Sequence, residues 1–307
     1  MREQIKYLLM KLRPIQQLVV ERNKLRNEVA RYRGVAPAGH YSSPIPSLDE
    51  VRLREDKIFS TTLREIPGVD LNEKEQLSLL GHFRKLYDEL PFQPHKTSGL
   101  RYYFENNLYS YSDAIILYCM IRHLCPKQII EIGCGHSSCV ILDTNELFFA
   151  NSISCTFIDP HPELLRSLSK KDDESRVTLI AAKLQDVDLA IFRGLDENDI
   201  LFIDSTHVSK VGSDVNRIFF DVLPLLKSGV HIHFHDVFYP FEYPKEWIYQ
   251  GRAWNESYLL RSFLQYNYAF RVVLFNTYLG QFYEDTFREE MPLCLKNRGG
   301  SIWIKRI

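Results

Sequence analysis

Apolar residues recur at helical spacing over the first 34 positions. From about residue 112 they gather instead into short blocks separated by helical stretches. At the start, Leu8, Leu12, Ile15 and Val19 follow a four-three-four spacing, and Leu18, Leu25, Val29 and Tyr32 continue it on a slightly rotated line. That is the stripe of an amphipathic helix. Pro14 breaks this stretch or opens a second helix as its first residue, where its missing N–H is not needed. Arg22 and Arg26 interrupt the stripe, which argues against a long coiled coil. Residues 34–50, with Gly34, Gly39, Pro37, Pro44 and Pro46, read as a linker.

Ser112-Asp113 reads as the cap of a helix running to His123, with Ala114, Ile115, Leu117, Tyr118, Ile121 and Leu124 on its apolar side. Apolar runs follow at 128–132, 154–158, 177–181, 200–203 and 229–234, with helical patterns at 137–149, 161–170, 187–194 and 211–226. Nearly continuous apolar strands alternating with helices predict a parallel sheet covered on both faces. Two last strands, 269–275 and 301–304, are separated by a polar stretch without a long clear helix, and a hairpin at one sheet edge fits them. The chain thus divides into a basic amphipathic helical extension (1–34), a linker and helical cap region (35–110), and an α/β domain (111–307).

With 45% hydrophobic and 25% charged residues over 307 positions, the chain is globular, not collagenous or disordered. Its net charge of −1 argues against a generally basic nucleic-acid binder. The balance hides a split: residues 1–34 carry +6 and the remainder −7. The basic helix can pack on its own domain, join a second subunit in a homo-oligomer, or lie on an anionic membrane surface. No window reaches the length of a transmembrane span, and the apolar patch 7–10 is too short for a signal peptide. Six cysteines without a CxxC spacing, most of them in apolar runs, fit a reduced, cytoplasmic protein.

Chemistry concentrates at the strand ends. The segment from Glu131 through Gly133, Gly135 and Ser138 closes the first strand and opens the next helix. Gly133 permits a tight turn, and Gly135 lets a ligand approach the backbone at the helix N-terminus. Asp159 ends the second strand 24 residues beyond Gly135, where a carboxylate can take both hydroxyls of a ribose. A dinucleotide-binding strand is normally apolar at the place of Glu131, and Ser138 replaces the third glycine of its fingerprint. Both departures weigh against an NAD-dependent dehydrogenase.

Glu-x-Gly-x-Gly followed by an acid at the end of strand two resembles the class I S-adenosylmethionine (SAM)-dependent methyltransferases. Tyr109 to Ala114, Asp204-Ser205-Thr206-His207 and His235-Asp236 resemble one branch, the macrocin-type O-methyltransferases of sugars and small molecules. The resemblance implies a Rossmann-like, mostly parallel seven-stranded sheet with the last strand inserted antiparallel. It implies the methionyl part of SAM near Glu131, Gly133 and Gly135, its ribose on Asp159, and its adenine near Gln185 and Asp186. Tyr109 would help close the pocket, and Asp204 would border the cofactor. It further implies His207 as the base that deprotonates an acceptor hydroxyl, and a divalent magnesium or manganese ion on Asp204, His235 and Asp236. The acceptor would be a small molecule, a sugar or glycoside. Related enzymes have an oxygen ligand at the place of His235; imidazole tilts a site away from magnesium.

Alternation puts His231, His233 and His235 on one face of strand five, a string that invites a zinc-hydrolase reading. The order His235-Asp236 and the preceding Glu-x-Gly-x-Gly unit argue against it, and His231 and His233 read as satisfied buried histidines. The aromatic segment 238–247, together with Trp254, Asn255 and Glu256, reads as an acceptor wall or as a packing loop. A non-catalytic scaffold has no physical need for Glu131, Gly133, Gly135, Asp159 and His207 together.

Overall fold

The structure, a computed structural model, describes residues 16–29 and 35–307. The expected break at Pro14 and the ends of the basic helix lie outside the described residues. The chain divides into two compact units, one of residues up to 58 plus 249–253, the other of residues 59–248 and 254–307. In the smaller unit, residues 16–29 form a helix exposed along its whole length. Turns lead from there to a short helix, Leu48–Leu53, capped by the Ser47 hydroxyl, which accepts from the Glu50 amide.

The larger unit is built on seven strands: β1 (Gln128–Ile132), β2 (Ser154–Ile158), β3 (Thr178–Ile180), β4 (Ile200–Ile203), β5 (His231–His235), β6 (Phe270–Phe275) and β7 (Ser301–Arg306). Their order is β3-β2-β1-β4-β5-β7-β6. All neighbours pair in parallel except β7, which runs antiparallel between β5 and β6. Ile200, Leu201, Phe202 and Ile203 of β4 are all buried, because helices cover the sheet and leave no face in water. The expected α/β sheet and the antiparallel edge pair are present. The connection between β6 and β7 is not a plain loop but carries the helices Asn276–Phe282 and Glu284–Glu290. These are seven residues each, too short to show a clear stripe.

The helix Tyr111–Leu124 has Ser110 as its N-cap residue, not Ser112-Asp113. The Asp113 carboxylate is committed elsewhere: it accepts from Asn276, the Gly300 amide and the Ser301 hydroxyl, tying the helix to β7. The expected helix 211–226 begins as Asp214–Arg217 and widens over Ile218–Val222 before ending at Leu225. Pro224, which donates no N–H, falls in that last turn. A buried ion cluster holds the segment before the core helices. Arg101 bonds Asp143 (2.7 Å), Glu146 (2.8 Å) and Asp173 (2.7 Å from Nε), while the Arg101 and Tyr102 amides both donate to Asp143.

Candidate active site

The sheet order reverses between β1 and β4, so the crevice opens at their carboxyl ends. Hydrogen bonds carry the ladders past the strand tips: the Gly133 amide donates to Ile158 and the Asp204 amide to Ile132. Gly133, Asp159 and Asp204 therefore stand side by side. Gly133 has φ +79°, and a Cβ there would lie 2.0 Å from the Asp204 carbonyl oxygen, so only glycine fits.

A cavity of about 570 Å³ opens here, lined by Gly133, Asp159, Gln185 and Asp204 and, from the loop after β4, by Ser205, Thr206 and Asp214 among others. Asp159 accepts from the amides of Cys134 (3.0 Å) and His161 (2.6 Å), which orients its carboxylate at the cavity wall. Gln185 is held by donating to the Gly212 carbonyl at 2.8 Å. Gly135 opens the helix His136–Phe149, its amide donating to Ser138 at 3.0 Å. Ser138, in the place of the third fingerprint glycine, thus closes this turn.

Glu131 lies fully buried beneath the glycine turn. Its Oε1 accepts a hydrogen bond from Ser137, and among the described residues none bonds Oε2. Burial pushes its carboxyl up to about 8, only partly offset by the Ser137 and Ser138 hydroxyls. Four expected cofactor residues do not line the cavity: Glu131 and Gly135, which lie behind the glycine turn, and Tyr109 and Asp186. Asp186 is exposed, one position beyond Gln185. Tyr109 is buried, with its ring 5.2 Å from that of His235 and its hydroxyl on the Asp113 carbonyl.

Beyond β4 and β5 a second group of side chains converges. His207 Nε2 lies 3.4 Å from Asp204 and 3.5 Å from Asp236, while Nδ1 is 2.9 Å from Glu256. His207 and Asp236 both have left-handed backbone, φ +59° and +56°, an unfavourable conformation for either residue that the surroundings enforce. The His207 amide bonds the Ser205 hydroxyl, which in turn donates to Glu256, and the His207 carbonyl accepts from the Asn255 and Glu256 amides. The loop after β4 and the helix Glu256–Leu264 are thereby one unit, with the Trp254 ring 4.3 Å from the imidazole. Burial lowers the proton affinity of His207, but Asp204 and Glu256 more than reverse this and push it up to about 10. Desolvation raises Asp204, yet His235 and His207 hold it below the usual carboxylate range.

Asp204, His207 and Asp236 each offer one ligand atom, all within 4.8 Å of one another, as a divalent cation requires. His235 stands outside that group. Its Nε2 is 3.5 Å from Asp236, its ring faces Tyr109 and His233, and no described residue bonds its Nδ1. His231 and His233 are buried as expected but not satisfied. His233 stacks on Phe202 at 4.0 Å and meets Trp303 edge-on, and neither of its ring nitrogens has a partner among the described residues. Burial holds it well below the usual imidazole range, so it is a neutral packing ring. Glu256, read in the sequence only as a residue of the acceptor wall, is the direct partner of His207. A separation of 49 residues carries no local signal of that pairing.

The architecture is thus a Rossmann-like sheet with a cavity at the carboxyl ends of its strands beside a carboxylate–imidazole cluster. Residues 130–237 match the family profile described as a methyltransferase domain, and the chain carries that domain. An uncharacterized protein of Archaeoglobus fulgidus is 39% identical over 173 residues, covering 54% of this chain and 76% of that protein; the chain belongs to the same family. Two solved structures are similar at lower identity. One is the SAH-bound methyltransferase PaMTH1 of Podospora anserina, at 15% identity over 87% of this chain and 99% of that one, TM-score 0.43. The other is the O-methyltransferase TomG of Streptomyces achromogenes, involved in tomaymycin synthesis and solved with SAM, at 13% identity over 85% and 96%, TM-score 0.42. Among the described residues no helix is long and apolar enough to cross a membrane.

Proposed function

We propose that the protein transfers a methyl group from SAM to a hydroxyl of a small acceptor, a sugar or glycosylated metabolite. The observation that carries this reading is the joining of the cavity bearing Asp159 to the Asp204–His207–Asp236 cluster through one shared residue, Asp204. The residues fit the cofactor. Gly133 leaves no room for a Cβ, Asp159 keeps free lone pairs at the cavity wall, and Glu131 Oε2 is a buried oxygen without a donor. When bound, SAM supplies an electrophilic methyl on a sulfonium whose thioether leaves uncharged.

The chain's own residues have three tasks. Asp159 takes the ribose hydroxyls, Gln185 borders the adenine, and Glu131 with the Gly133–Gly135 turn holds the methionyl end. Asp204 and Asp236 orient the acceptor hydroxyl or hold a divalent ion, whose charge would make that hydroxyl more acidic. His207 accepts the hydroxyl proton at Nε2, with Glu256 on Nδ1 holding the ring in place. Ringed by ionised carboxylates, His207 keeps its own proton at neutral pH; positive charge brought in by the ligands lets it go. Trp254 offers an aromatic face next to it.

A second reading follows from the same geometry. Nε2 shares a ligand-sized space with the two carboxylates, so His207 can be a third metal ligand, with Glu256 behind it in a carboxylate–histidine–metal arrangement. Calorimetry with SAH and manganese, together with radiolabelled methyl transfer onto a panel of hydroxylated acceptors, tests both. The leading reading expects SAH binding at about micromolar Kd and loss of transfer in His207→Asn with manganese affinity unchanged. A drop in manganese affinity of about 10–100-fold in that variant selects the second. Absence of SAH binding sinks both.

A further inference from the structure

One buried carboxylate of the larger unit has no task in the methylation reading. Asp113 stands in the first turn of the helix Tyr111–Leu124 and is buried. Taking a carboxylate out of water is costly, and an apolar residue in its place would pack at less cost. Its hydrogen-bond donors show what the charge does there.

They come from two distant segments. Asn276 Nδ2 donates at 3.1 Å from the first residue of the helix Asn276–Phe282. The Gly300 amide at 3.2 Å and Ser301 Oγ at 2.9 Å donate from the head of β7. Gly299 has φ +69°, and a Cβ there would lie 2.5 Å from the carboxylate, so the turn before β7 closes directly on Asp113.

The same two segments carry the loop that follows β5. The Val237 amide donates to the Gly300 carbonyl at 3.2 Å, and the Tyr239 amide donates to Thr277 Oγ1 at 2.7 Å. The Phe238 ring rests on Gly300, where a Cβ would collide with it. Asp236 stands between this loop and β5, in a left-handed conformation (φ +56°) that persists only where the surroundings over-determine it. On its strand side, His235 pairs with Ser301, another of the Asp113 donors. The backbone on both sides of Asp236 therefore hangs on residues that Asp113 holds or, at Thr277, on the neighbour of one.

We propose that Asp113 is a positioning residue: through Asn276, Gly300 and Ser301 it sets the place of the Asp236 carboxylate opposite His207. Charged acceptors make short, directional bonds, which fix a turn where apolar packing would let it slide. The inference rests on the methylation reading for what Asp236 does, and on the hydrogen bonds alone for where Asp236 stands.

Two variants loosen the arrangement from opposite ends. Asp113→Asn keeps one acceptor oxygen but turns an amide N–H toward a cluster of donors. Thr277→Val removes the acceptor of the Tyr239 amide without touching Asp113. Crystal structures of both should show the Asp236 carboxylate displaced by about 1 Å from its place 3.5 Å from His207. In methyl transfer each should lower kcat by about 10–100-fold, with the Kd for SAH within about two-fold of the parent. A merely structural role would not show in a double-variant cycle with Asp236. Added to Asp236→Asn, Asp113→Asn should cost less than about two-fold more, because the carboxylate it positions is already gone. An Asp236 carboxylate in its parental place in both variants, an unchanged kcat in both, or losses that multiply in the double variant would each overturn the proposal. Absence of SAH binding in the parent chain would instead sink the methylation reading, and the crystallographic displacement would still decide the role of Asp113.

Discussion

Two buried clusters in the larger unit share their ingredients, one cation among three carboxylates, and differ in how far those ingredients are satisfied. Around Arg101, the donors to Asp143, Glu146 and Asp173 sit at hydrogen-bond distance, the amides of 101, 102 and 170 add bonds to Asp143 and Asp173, and at the rim the Lys170 ammonium takes both oxygens of Glu146. Around His207, only Glu256 is at hydrogen-bond distance; Asp204 and Asp236 stand off at 3.4 and 3.5 Å. A closed cluster has nothing left to offer a ligand and works as a clasp between chain segments. An open one, held on strained backbone at the mouth of a cavity, carries unspent binding capacity. Burial and charge alone do not distinguish them; the distances do.

The sharpest way to break this comparison is to remove each cation. His207→Gln should cost about 10²–10⁴-fold in methyl transfer, read on the acceptor found in the panel. Above about pH 10, where the parent's imidazole has lost its proton as well, the variant's unfolding free energy should match the parent's to within about 1 kcal/mol. Arg101→Met should do the reverse. Asp143 and Asp173 lose their buried cation while Glu146 keeps Lys170, and chemical denaturation should show a loss of about 3–5 kcal/mol. SAH affinity measured well below the unfolding midpoint should stay within about three-fold of the parent. If Arg101→Met proved as stable as the parent, the clasp reading would be wrong.

Next in size is the response to pH, which separates the clusters by sign. His207, raised to about 10, contributes stability that is fully present below its unfolded value and lost as pH rises through 10. Glu131, raised to about 8, acts in the same direction, its contribution falling away as pH rises from the unfolded carboxylate value through 8. Asp173 and Glu146 are held low by Arg101 and Lys170 against the opposing effect of burial, so their contribution is lost as pH falls through their folded values. Thermal melts across pH should fall on both sides, with an alkaline loss of roughly 2–4 kcal/mol. His207→Gln should flatten the alkaline side and leave the acid side alone. Methyl transfer should rise toward alkaline pH, where the base is free of its proton.

The smallest effect tests the cofactor side. Asp159→Asn keeps an acceptor oxygen but loses the charge on its hydrogen bonds, which predicts SAH binding weaker by roughly 1–2 kcal/mol in calorimetry. Gln185→Ala should weaken it less. Asp186→Ala should leave it unchanged, because Asp186 is exposed outside the cavity wall.

Most of the fold could be read along the chain because its causes are local. Apolar runs spaced by helical patterns identify β1, β2 and β4 to the residue, and Asp159 and Asp204 follow directly on β2 and β4. The exceptions have physical reasons. Asp113 looks like a cap from its neighbours, but its carboxylate goes to Gly300 and Ser301, nearly 190 residues away. The helices between β6 and β7 are too short for periodicity to show.

In the candidate site, the sequence by itself singled out the strand ends: Glu131, Gly133, Asp159, Asp204, His207 and Asp236 all stand in or close after a strand of the sheet. Only the tertiary structure decided how they combine. It set His207, on a left-handed turn after β4, within reach of both Asp204 and Asp236, while His235 reaches only Asp236 and packs its ring on Tyr109. It supplied Glu256 from a helix 49 residues on, and it left His233 without partners between Phe202 and Trp303. Spacing along a chain fixes which face a side chain joins. Which lone pairs are left open depends on groups that arrive from elsewhere in the chain, and that is known only once the chain has folded.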